Sequence, residues 1–146
     1  MHNSLNLHDQ DFYAWTLEQA RLIRAHAFDQ LDIPHLLEEV ESMGNQNKTE
    51  LRNRLTILLM HLLKWKYQAE YKSNSWYITI ANQRLDIADL IEDNPSLKHI
   101  LVELFNRAYT KAIPKTSLET GIKSSIFPSS CEWTIEQVLD EEFFPS

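Results

Sequence analysis

Apolar positions along this chain advance by three or four residues over most of its length. That is the spacing of one face of an α-helix, not the alternation of a strand. Phe12, Trp15, Leu22 and Ile23 fall on one side of a first predicted helix. Its start is expected near Asp9 or Asp11, because either carboxylate can accept hydrogen bonds from the free N–H groups of a first turn. The stretch "AHAFDQLD", residues 25–32, loses the pattern. Asp32 then precedes Ile33 and Pro34, which reads as an N-cap with proline in the first turn of a second helix.

The second helix carries the main architectural question. "SMGNQNK", residues 42–48, contains Gly44 and two asparagines, a composition that reads as a turn. Yet Leu36, Val40, Met43, Asn47, Leu51, Leu55, Leu58, Leu62 and Trp65 keep one helical phase straight through it. The unbroken phase predicts one long helix over 33–68, about 50 Å in length. Gly44 and Asn47 would lie on its packed side, where another backbone can approach closely. A hairpin at Gly44 is the alternative.

Ser73 or Ser75 can cap a third helix that carries Trp76, Ile80, Leu85, Ile87, Ala88 and Ile91 and ends at Asn94. Pro95 and Ser96 open a fourth, with Leu97, Ile100, Leu101, Leu104, Phe105 and Ala108 on its apolar face. Pro114 is expected to interrupt it, and "KTSLETGIKSSIFPSS" reads as turn-rich. Only two glycines, against 43% apolar residues, leave little room for tight hairpins. The expected fold class is all-α: a helical bundle of about four main helices with one long central helix and a short docked C-terminal helix, as a single domain over residues 1–146.

Two segments echo each other: "AWTLEQA" at 14–20 and "EWTIEQV" at 132–138. In the second, Thr134 and Gln137 have the spacing of a capping box, with Trp133 and Val138 placed as a hydrophobic staple. In the first, the helix should already be running at Thr16, so the match is partial. The flanks "DQDFY" and "PSSCE" differ, which favours reuse of local helix chemistry over internal duplication.

The formal charge of −7 disfavours nucleic acid as a partner. Its distribution is uneven: residues 1–42 sum to −6, residues 48–72 to +4 and residues 73–146 to −5. Cys131, the single cysteine, needs no oxidising compartment. The N-terminus lacks the order of a signal peptide, and the longest apolar run, "LTILLMHLL" at 55–63, is too short to span a bilayer. A cytoplasmic location without membrane attachment is expected.

Taken in order, "DFYAWTLEQARLIR", "LDIPHLLEEVESMG", "LLMHLLKWKYQ", "SWYITIANQR", "EDNPSL" and "WTIEQVLDEEF" resemble the bacterial family called domain of unknown function 29. The likeness covers nearly the whole chain. It implies an all-helical, stand-alone intracellular domain and brings no activity, cofactor or catalytic residue with it. Family members tend to run on as helix where this chain has Pro114 and "KTSLETG".

Candidate chemistry is sparse. His35 and Glu38 share a helix face and His61 lies later, but this reverses the Glu-x-x-His order of di-iron bundles. In a continuous helix His61 would lie roughly 39 Å from His35. No metal-ligating, cofactor-binding or catalytic residue is therefore assigned. No P-loop, dinucleotide fingerprint or zinc-protease motif is present, Cys131 has no triad partner, and the acidic "LDEEFF" is a weak signal alone.

The stretch "HLLKWKYQAEYKSNSW" gathers His61, Lys64, Trp65, Tyr67 and Trp76 into a candidate interaction patch, since aromatics interleaved with lysines can stack on a peptide or on bases. The plainer reading has the tryptophans plugging the core at a helix junction. The expected function is a non-enzymatic protein–protein interaction module with a protein partner or a second copy of itself. A small hydrolase or metal-dependent enzyme using acidic and His residues is the rival.

Overall fold

The computed structural model describes residues 4–146, with side chains from Leu7 onward. Among the described residues six α-helices span Ser4–Gln10 (α1), Phe12–Arg24 (α2), Ile33–Tyr67 (α3), Asn74–Asp93 (α4), Leu101–Thr120 (α5) and Ile135–Leu139 (α6). No strand occurs among the described residues. Short 3₁₀ turns connect them at Phe28–Gln30, Ala69–Tyr71, Pro95–Ile100 and Ser124–Ile126. Among the described residues no helix is long and apolar enough to cross a membrane. The chain divides into two compact units, residues 1–46 and 47–146, and α3 contributes to both.

In the first unit, Asp11 is the cap of α2, its carboxylate accepting from the Ala14 N–H at 3.0 Å. The short helix α1 before it is absent from the sequence-based expectation. Thr16 does no capping. It sits inside α2 and its hydroxyl donates to the Tyr13 carbonyl, so the echo with "EWTIEQV" is not a shared structural unit. Asp32 precedes α3, and its carboxylate accepts from the His35 N–H at 3.4 Å.

Trp15 and Leu22 are the buried apolar side chains of this unit among the described residues, alongside two buried polar ones, Gln19 and Asp32. Phe12 and Ile23, expected on the packed side of α2, are about half exposed. The hydrogen bonds explain this arrangement. Trp15 Nε1 donates to Asp32 Oδ2 at 2.8 Å and the Asp32 N–H donates to Gln19 Oε1 at 2.8 Å, so the centre of the unit is organised around one buried carboxylate.

In the second unit, the remainder of α3 buries Leu51, Leu55, Leu58, Leu59, Leu62 and Leu63 against Ile80 and Ile87 of α4 and Leu104, Phe105, Ala108 and Ala112 of α5. α3 is continuous over 35 residues, which removes the hairpin alternative. Gly44, however, is not on a packed side: it is exposed, and a Cβ built there meets no atom within 4 Å. Asn47 is half-buried and donates to Asn94 Oδ1 at 3.5 Å. Leu85, expected on the apolar face of α4, is 53% exposed.

Pro114 does not interrupt the fourth main helix. α5 runs through it to Thr120 and ends at Gly121, whose φ of 77° provides the left-handed cap. Proline removes one hydrogen bond, the one the Thr110 carbonyl would have accepted. Both residues are exposed, so water can serve that oxygen.

The C-terminal segment docks on the second unit. Thr134 and Gln137 form the full capping box of α6, with reciprocal bonds of 3.1 and 2.9 Å, and Trp133 and Val138 are both buried in the core. Arg84, buried on α4, pins the chain from the end of α6 onward. Its guanidinium donates to the carbonyls of Val138 at 2.8 Å, Glu141 at 3.4 Å and Phe143 at 2.7 Å.

Candidate functional site

The predicted patch gathers at one end of the second unit. His61, Lys64, Trp65 and Tyr67 occupy the last two turns of α3, and Trp76 lies in the first turn of α4, which Ser73 caps by accepting from the Trp76 N–H. Lys64 joins the two helices and α5. Its Nζ lies 3.0 Å from Glu119 Oε2 and 4.8 Å from the centre of the Trp76 ring. Trp65 packs against the core, 4.8 Å from Phe144, and carries Lys72 over its ring at 4.9 Å. Tyr67 meets Phe127 edge-on at 5.0 Å, and Lys66 reaches Glu132 at 2.7 Å.

His61 is half-buried and its Nδ1 donates to the Ile57 carbonyl at 2.8 Å. Burial, with the nearby Lys64 cation, pulls its pKa below the ordinary histidine value, so the ring stays neutral at physiological pH. All five predicted residues are thus brought to one region, but Lys64 and the tryptophans are already engaged by neighbours within the unit. Beside them a surface cleft of about 290 Å³ is lined by Tyr77, Ala81, Arg84, Leu85 and Phe144 with two carboxylates, Glu141 and Glu142.

A second cluster lies in the first unit. His8 of α1 stacks on His35 of α3, ring centres 3.8 Å apart and planes 8° from parallel, with Trp15 and Phe12 edge-on to His8 at 4.8 and 5.4 Å. Every imidazole nitrogen of this pair faces a carboxylate. His8 Nδ1 lies 2.9 Å from Asp9 Oδ1 and Nε2 lies 2.8 Å from Glu39 Oε1. His35 Nδ1 lies 2.8 Å from Asp32 Oδ2 and Nε2 lies 3.9 Å from Asp9 Oδ1.

The hydrogen bond to Asp9, and after it the one to Glu39, raises the His8 pKa. Burial pushes the Asp32 carboxyl up, but the bonds from His35 and Trp15 outweigh it and hold the group below its ordinary value. Cys131 is the reverse of an activated nucleophile, since burial pushes its thiol up.

Residues 7–144, which hold both clusters, match the family profile described as domain of unknown function DUF29. The chain belongs to the DUF29 family. No curated protein and no solved structure matches it.

In this DUF29 chain the basic-aromatic patch was legible because its residues are close in sequence. The histidine cluster was not. The sequence offers Glu38 and His61 as companions of His35, but Glu38 is exposed and continuous α3 carries His61 about seven turns beyond His35. The actual neighbours, His8 and Asp9, are a doublet in "NLHDQ" with Asp9 read as a helix cap. The adjacent His-Asp pair was the available signal, and nothing in the spacing linked it to a histidine 27 residues later.

Proposed function

We propose that this protein is a non-enzymatic interaction module whose acidic N-terminal unit docks an amphipathic helix with a basic rim, supplied by a partner protein. The observation that carries the reading is a ridge on the first half of α3: Ile33, Leu37, Val40 and Met43 share one side of the helix and are 57–59% exposed. An unpartnered apolar stripe at this spacing suits helix-on-helix recognition. Gly44 lies in the same stripe with open space above it, so a second helix can approach closely there. The net −6 of residues 1–42 selects a Lys- or Arg-flanked helix and opposes pairing of two copies through this face. A cytoplasmic location accords with the single cysteine.

The test uses two synthetic helices with the same leucine stripe, one flanked by lysines and one by glutamates, titrated against the full chain by fluorescence anisotropy. The lysine peptide binds, binding weakens as salt rises, and Leu37→Asp or Val40→Asp abolishes it without changing the melting temperature. Equal binding of the two peptides overturns the reading, as does a dimer in sedimentation that Leu37→Asp dissolves.

The patch at His61, Lys64, Trp65, Tyr67 and Trp76 is a second docking surface, favoured by the cations held over Trp65 and Trp76 with Tyr71 63% exposed nearby. Lys64→Glu or Tyr67→Ala would remove a partner bound there while leaving helicity intact. Loss of stability in both variants, with no partner found, assigns the patch to the core instead.

A further inference from the structure

We propose that His8, Asp9 and His35 bind one divalent transition-metal ion of the zinc class, clamping α1 to the start of α3. The three residues offer ligating atoms that all lie within 4.8 Å of one another. An ion with bonds of about 2.0–2.2 Å to nitrogen and carboxylate oxygen holds its donors roughly 3.2–3.6 Å apart. The existing separations from Asp9 Oδ1, 2.9 Å to His8 Nδ1 and 3.9 Å to His35 Nε2, bracket that range.

The outer contacts are those a metal-ligating histidine needs. A histidine that binds through one nitrogen commonly donates the other N–H to a carboxylate, which fixes the tautomer and strengthens the ligand. Both histidines have this arrangement: His8 Nε2 is held by Glu39 and His35 Nδ1 by Asp32, each at 2.8 Å. Those bonds leave His8 Nδ1 and His35 Nε2 for the ion. Asp32 is itself immobilised, 2% exposed and bonded to Trp15 and Gln19. His35 is therefore a preset ligand, and His8 is the one that adjusts. The stacked rings must open slightly for both lone pairs to aim at one ion, a movement that falls to His8 on the short helix α1.

The donor set decides the class of metal. Two imidazoles and one carboxylate suit zinc and its neighbours, whereas calcium and magnesium prefer oxygen throughout. Asp9 is largely exposed, so the ion has a route in from solvent and room for water at a fourth position. The clamp answers a structural need, because among the described residues Trp15 and Leu22 are the only apolar side chains that α2 buries. At 100° per residue His35 lies on a different side of α3 from the docking ridge of Ile33, Leu37 and Val40, while Glu39 stands one turn before Met43 at the edge of that ridge.

The test is calorimetric titration of ZnCl₂ into the chelator-stripped full chain, with CoCl₂ absorption in the visible as a report on nitrogen and oxygen ligation. One zinc per chain is expected, together with a rise in melting temperature. Asp9→Asn and His8→Gln should each weaken binding by more than the roughly 100-fold that loss of an outer partner can cost, because each removes a direct ligand, while Glu38→Gln and His61→Gln leave it unchanged. Chelated Asp9→Asn should melt with the chelated wild type, because Asp9 is exposed, so its loss of binding is not loss of folding. Zinc affinity equal in wild type, Asp9→Asn and His8→Gln overturns the site, and so does binding that His61→Gln removes.

Discussion

One apolar stripe on α3 has two fates. From Leu51 to Leu63 it is the core of the second unit, with Leu51, Leu55, Leu58 and Leu62 fully buried. From Ile33 to Met43 the same spacing continues, yet Ile33, Leu37, Val40 and Met43 stand more than half exposed. The period of a helix specifies which residues share a face and leaves open whether anything covers that face. The two units differ in what organises them as well. The second has leucines packed against α4 and α5, whereas the first is built around Asp32, Trp15, Gln19 and His35.

The largest expected effect comes from cutting the stripe where it is covered. Leu58→Ala should destabilise the protein by about 2–5 kcal/mol in denaturant unfolding, the usual cost of emptying a well-packed leucine site. A small loss would show that the core of the second unit is looser than its burial implies.

Alkaline titration separates the units next. Tyr109 donates to the Pro128 carbonyl at 2.6 Å, and burial pushes its phenol up to about 12. A folded value above the ordinary one favours the neutral form. This contribution is therefore fully present below about pH 10 and is lost as pH rises towards 12, roughly 2–3 kcal/mol in all. Ultraviolet absorbance should show one tyrosine ionising last, and Tyr109→Phe should remove that step. Asp32 acts at the other end of the scale: its folded pKa is depressed, so its contribution is present above the ordinary carboxylate range and lost as pH falls through the folded value.

Asp32→Ala should cost about 1–3 kcal/mol, because it leaves the buried Trp15 N–H without its acceptor. The loss should appear in hydrogen exchange of α2 and the start of α3, with the second unit unaffected. Uniform loss across both units would contradict their separate organisation.

Thr134→Ala is expected to cost about 1 kcal/mol through its capping box, against a few tenths for Thr16→Ala inside α2. Equal effects would mean that the echoed segments do the same work after all. Smallest of all, Leu37→Ala and Val40→Ala should stay within about 0.5 kcal/mol of wild type, as exposed substitutions do. A larger loss would place these side chains in a core.

Much of the helical framework was legible because its signals are local. A cap acts within one turn, so Asp9 or Asp11, Ser73 or Ser75, and Thr134 announce their helices, the structure selecting Asp11 and Ser73, and the phase from Leu36 to Trp65 predicts an unbroken α3 despite Gly44. The placing of His61, Lys64, Trp65, Tyr67 and Trp76 on either side of one helix junction was legible for the same reason, because they are close in sequence. Tertiary structure decided the rest. Pro114 is tolerated because its helix face is open to water, and the exposure of Ile33 to Met43 reflects which elements pack there. The union of His8 and Asp9 with His35 depends on α1 lying against α3, a contact between segments far apart in the chain that no local hydrogen bond or period can encode.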